Sequence, residues 1–131
     1  MALLNPFGRS GAASLSGPGV ILRHPVAGDY EAWAALRDQS RAHLQPWEPT
    51  WGPDELTRAS YRRRLSRYAQ EIREDRGYPY WVMSPAGQVM GGCTLSNVRR
   101  GVSQTATLGY WMGAQFAGKG LMTAAVKTLL A

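Results

Sequence analysis

The run TATLGYWMGAQFAGKGLMTAAVKTLLA, residues 105–131, changes period twice and decides the fold. Thr105 to Met112 carries β-branched and aromatic side chains and reads as a strand. Gly113, Gly118 and Gly120 mark the next eight residues as a loop. Leu121, Met122, Ala125, Val126 and Leu129 then recur at helical spacing. Glycine lets the backbone turn tightly and approach a ligand. A helix start offers unpaired N–H groups and the positive end of the dipole. Strand, glycine loop and helix start together make a phosphate site, to which Lys119 adds a point charge.

Working back from this run, Tyr80–Met83, a turn at Ser84–Gly87 and Val89–Val98 read as a hairpin. Arg99-Arg100-Gly101 is a second turn, so 105–112 is the third strand of an antiparallel meander. Before it, Tyr61, Leu65, Tyr68, Ala69 and Ile72 share one helical face. Pro53-Asp54-Glu55 has the chemistry of that helix's start, and Gly77 is its expected stop. Pro46, Pro49, Gly52 and Pro53 predict a loop over 40–53 that carries Leu44, Trp47 and Trp51. Tyr30, Trp33, Ala34 and Leu36 predict an earlier helix, opened by Asp29. Val20-Ile21-Leu22 reads as a strand stopped by Pro25, preceded by a short strand and turn over Leu15–Gly19. Residues 1–11 read as a flexible lead-in and 12–131 as one folded unit, α+β in class.

Composition sets the outer limits. The chain has 131 residues, 44% of them apolar, enough for one core without staples. A single cysteine, Cys93, excludes an internal disulfide; with only His24 and His43 besides, no metal site is expected. No run reaches bilayer length and the first residues lack a secretory pattern, so a cytoplasmic protein without membrane contact is expected. The net charge is +6, and all nine acids lie between Asp29 and Asp75. Residues 76–131 can therefore bind anions but supply neither a carboxylate nor an imidazole catalyst.

Two loop patterns fit the glycine run. Gly113 to Lys119 matches G-x-x-x-x-G-K, but Gly120 stands where a nucleotide-binding P-loop needs a hydroxyl for magnesium, and the strand before it belongs to a meander. Gln115, Gly118 and Gly120 match [RQ]-x-x-G-x-[GA] between strand and helix. In that setting the chain resembles the GNAT acyltransferase family. His43-Leu-Gln-Pro-Trp-Glu-Pro49, Ser96–Gly101, Leu108-Gly109-Tyr110 and Gly118–Met122 resemble its Rim-type branch, the ribosomal-protein-alanine N-acetyltransferases, over about Leu15 to Ala131.

The resemblance implies a GNAT acyl-CoA N-acyltransferase fold with a mainly antiparallel sheet. It implies acetyl-CoA as co-substrate, with Gln115, Phe116, Ala117, Gly118, Lys119 and Gly120 around its pyrophosphate. Leu108, Tyr110, Trp111 and Met112 would then lie along its pantetheine arm. The acceptor implied is the N-terminal amine of a ribosomal protein that begins with alanine, or another amine. The sequence departs from the family in two ways. Thr107 stands where many relatives carry glutamate, and the family's second half does not follow Ala131. The chain is therefore read as the N-terminal portion of the domain, truncated after the cofactor helix, poorly active by itself and prone to self-association through an open strand edge.

Elementary chemistry bears on the acceptor. An α-amine of pKa about 7.7–8.0 is roughly a tenth to a fifth neutral near pH 7, whereas a lysine of about 10.4 is below about a thousandth. A carboxylate-poor half suits the first. Glu48 is the acid placed to bind the amine or act as general base; its other reading is a solvated loop acid. Trp47 and Trp51 either line a peptide pocket or anchor the loop to the core, and Asn97 either meets substrate or bonds its turn. His43 reads as a local hydrogen-bonding residue and Cys93 as core. Seven arginines between Arg58 and Arg76 leave two further readings: a solvated helix face, or a ribosome- or RNA-binding module without catalysis.

Overall fold

A computed structural model describes residues 14–101 and 105–130; the predicted lead-in over 1–11 lies outside the described residues. Five strands form one sheet: β1 (Leu15–Gly17), β2 (Val20–Arg23), β3 (Tyr78–Met83), β4 (Val89–Arg99) and β5 (Thr105–Met112). They lie in chain order, every neighbouring pair antiparallel. The helices are α1 (Tyr30–Gln39), α2 (Arg41–Leu44), α3 (Arg58–Arg73) and α4 (Leu121–Leu130).

Alternation along the strands sends side chains to two cores. Trp81, Met83 and Val89 meet Trp33 and Leu36 of α1 and Tyr61 of α3 on one face. Val82, Met90, Cys93 and Met112 meet Val20, Leu22 and Ala125 of α4 on the other. A sheet covered on both faces explains why β3 and the first half of β4 read as near-continuous apolar runs. Gly92 is a close approach: a Cβ there would collide with the Trp111 indole, which crosses β4 to reach Trp81.

Three predicted boundaries are corrected. The 40–53 loop contains the short helix α2 and a 3-10 turn at Gln45–Trp47, with Leu44 buried as an anchor. Helix α3 starts at Arg58, five residues after Pro53, because Thr57 caps it: its Oγ1 accepts Ser60 N at 3.1 Å. Asp54 and Glu55 reach forward to Arg63 and Arg64 instead. The same helix ends at Arg73, before Gly77, and Asp75 takes the left-handed position with φ 56°. Asp29 precedes α1 without capping it through its side chain, which pairs with Arg23 at 2.7 Å and accepts Val26 N at 2.9 Å.

Candidate active site

Strand β5 leads directly into the glycine loop. Two hydrogen bonds fix where the loop begins: Gly113 N donates to Met90 O, and Ala114 N donates to Ser40 Oγ, each at 2.9 Å. Ser40 is buried at the end of α1, so that helix sets the height of the loop above the sheet. A 3-10 turn over Ala114–Phe116 follows, then Gly118 and Gly120 with φ of 74° and 75°. An added Cβ at either glycine meets no protein atom within 4 Å; conformation rather than crowding demands glycine here. The open side of this double turn is a cradle of backbone at the start of α4. The first turn of α4 holds no acid, so its N–H groups face no competing charge from their own helix.

The cradle opens into a cavity of about 540 Å³. Tyr110, Trp111, Met112, Phe116, Ala117, Gly118 and Gly120 line it, as do Trp47 and Glu48 across from them. His43 and Leu44, together with Leu121, Met122 and Thr123 of α4, complete the lining. The predicted cofactor residues Leu108, Gln115 and Lys119 do not line it. Leu108 shares a β5 face with Tyr110 and Met112 but lies farther along the strand and packs against the core beneath α4, while Gln115 and Lys119 are exposed on the loop. Asn97 is also separate: it is exposed, with φ 51°, in the β4 irregularity between Ser96 and Arg99, and lines neither this cavity nor the next. Cys93 is fully buried and burial pushes its thiol up to about 11, so it belongs to the core.

Glu48 is held tightly. Its Oε1 accepts Arg37 Nη2 at 2.6 Å and Trp51 Nε1 at 2.9 Å, and its Oε2 faces Arg37 Nη1 at 3.4 Å. The Arg37 guanidinium stands 4.7 Å from the ring centres of both Trp51 and Trp111. Trp51 is therefore an anchor of the loop, whereas Trp47 is 83% exposed at the cavity rim. A second cavity of about 400 Å³, reaching Arg64, Tyr68 and Thr94, shares Glu48, Tyr110 and Trp111 with the first. Arg37 escaped the reading of the sequence; its spacing of four from Trp33 on the apolar face of α1 was the available signal.

Four of the seven arginines between Arg58 and Arg76 have acidic neighbours. Arg58, Arg63, Arg64 and Arg76 approach Glu31, Asp54, Glu55 and Glu74 within 4 Å. This pairing partly neutralises the basic face. Among the described residues no cluster of three metal-ligating side chains forms, and no helix is long and apolar enough to cross a membrane.

A backbone cradle at a helix start thus shares a cavity with a meander strand and a loop bearing one carboxylate. The family model described as an acetyltransferase (GNAT) domain matches residues 20–131. The chain belongs to the GNAT acetyltransferase family. Protein YjcK of Bacillus subtilis (strain 168) is 26% identical over 117 residues, 88% of this chain and 65% of its own length. The [Ribosomal protein uS5]-alanine N-acetyltransferase of Escherichia coli (strain K12) is 29% identical over 106 residues, 76% of this chain and 55% of that protein. The solved structure of Mycobacterium smegmatis RimJ in complex with CoA-disulfide is 32% identical, with a TM-score of 0.80, covering 90% of this chain and 58% of that one. The chain thus spans 55–65% of the length of these relatives.

Proposed function

We propose that this domain binds acetyl-CoA along the larger cavity and serves the transfer of its acetyl group to the α-amine of a protein N-terminus. The N-terminal alanine of a ribosomal protein, in the cytoplasm, is the acceptor we favour. One observation carries the reading: the left-handed pair Gly118 and Gly120, at the start of α4, opens onto the same cavity as Trp47 and Glu48. The first feature suits a pyrophosphate and the second an amine. The names of the relatives support the same pairing, since one acts on ribosomal protein uS5 and another was solved with a CoA-disulfide.

The thioester supplies an activated acyl group: the new C–N bond forms as the C–S bond breaks, and the amine proton leaves with the departing thiolate. The chain's own part is positioning. Backbone N–H groups at Leu121–Thr123 hold the anionic end, and the Tyr110–Met112 segment lines the same cavity as Glu48. Apolar Met112, Phe116 and Leu121 exclude water from the path between them. An α-amine is sufficiently neutral near pH 7 to react without a strong base beside it.

The test is mass spectrometry of an alanine-starting peptide with one internal lysine, incubated with acetyl-CoA. The expected product carries the acetyl group on the α-amine. Acetylation confined to the lysine would overturn the acceptor assignment, and absence of acetyl-CoA binding would overturn the whole reading.

A further inference from the structure

We propose that Arg37 is the positioning residue of this site, and that the Glu48 it holds orients the acceptor amine without collecting its proton. The inference rests on the acetyl-transfer reading for what the amine is. It rests on geometry alone for the clamp.

Arg37 is nearly buried, with a side chain 7% exposed, and a desolvated cation needs a counter-charge. Glu48 supplies it through both carboxylate oxygens. The guanidinium Nε has no hydrogen-bond partner, and the group lies over the indole rings of both Trp51 and Trp111. A planar, weakly hydrated cation tolerates that setting; an ammonium does not. One side chain thereby ties three separate segments: α1, the loop carrying Glu48 and Trp51, and strand β5. The end of α1 also carries Ser40, which holds the start of the glycine loop. Both walls of the larger cavity are therefore referenced to one helix.

The same geometry limits what Glu48 can do. Oε1 already accepts two strong donors, and only Oε2, with its single long contact, is left to face an acceptor. Glu48 lines both cavities where they share a wall with Tyr110 and Trp111. A carboxylate fixed there can receive an N–H from the amine and aim it along β5. Releasing it from Arg37 would free the loop and leave a buried charge unpaired.

The experiment compares the full chain with Arg37→Lys, Arg37→Met and Glu48→Gln. Backbone hydrogen exchange over residues 45–51 should quicken by about tenfold or more in both Arg37 variants, while β3 and β4 keep their rates. Unchanged exchange over 45–51, or equal quickening everywhere, would overturn the clamp, and this readout needs no ligand. In parallel, affinity for an alanine-starting peptide should fall about tenfold or more in Arg37→Lys and Glu48→Gln, with acetyl-CoA affinity within about threefold. Equal losses for both ligands would mean a merely structural role and overturn the proposal. Where acetyl transfer is followed, Glu48→Gln should lower its rate yet keep the shape of the pH profile; loss of the profile's acidic limb would make Glu48 the base and contradict the assignment. Failure of the unaltered chain to bind acetyl-CoA would instead sink the acetyl-transfer reading and leave the exchange result standing.

Discussion

Gly118 and Lys119 are neighbours with opposite duties. Gly118 holds φ at 74°, which costs a β-branched residue dearly, and it lines the cavity with its backbone. Lys119 is exposed and offers a screened charge. Gly118→Val should weaken acetyl-CoA binding by about tenfold or more, and Lys119→Ala by less than about threefold, by calorimetry. The reverse order would contradict a backbone cradle. A second residue sets a pH limit. His24 is buried against Tyr80, with Nδ1 2.6 Å from Pro79 O, and burial pulls its pKa below the ordinary 6.5. The native state then binds fewer protons than the unfolded chain as the pH falls. Its contribution to stability is complete above about pH 6.5 and is lost as the pH drops below it. Thermal unfolding followed from about pH 7.5 down to about 5 should show a falling midpoint, and His24→Gln should flatten that part of the slope.

At the scale of elements, the strands and the faces of the long helices were legible because burial imposes a period. Tyr61 and Tyr68 are buried on α3, and Ala125 on α4, where the spacing put them. Helix ends were less legible because several residues offer similar chemistry. Pro53, Asp54 and Glu55 look like a start, yet Thr57 makes the bond. Thr57→Ala should cost about 1 kcal/mol of stability in a denaturant titration, and Asp54→Ala less, since its pair with Arg63 is largely exposed. The far end of α3 turned on a contact no local pattern reveals. Asp75 accepts from Arg100 and Tyr78, and these bonds hold its carboxyl below the usual range, while Arg76 N and Gly77 N donate back to Glu71 O around its left-handed backbone. Helix α2 has four residues, too few to show any period.

Across the whole molecule, the cradle was legible and the clamp was not. Gly118 and Gly120 lie two residues apart, so their joint role is written locally. Arg37 and Trp111 are brought together only by packing α1 on the sheet, and Glu48 and Trp51 join them through a loop whose proline content says where it bends but not what it touches. In the proposed function these two halves meet in one cavity, the helix start toward acetyl-CoA's anionic end and the Glu48 loop toward its reacting end. Hydrogen exchange of the chain with and without saturating acetyl-CoA separates this arrangement from its alternatives. Slowed exchange is expected at residues 110–123, strongest at Gly118 to Thr123, with β1 and the outer face of α3 unchanged. Protection centred on α3, or none at 118–123, would rule out the shared cavity as the acetyl-CoA site.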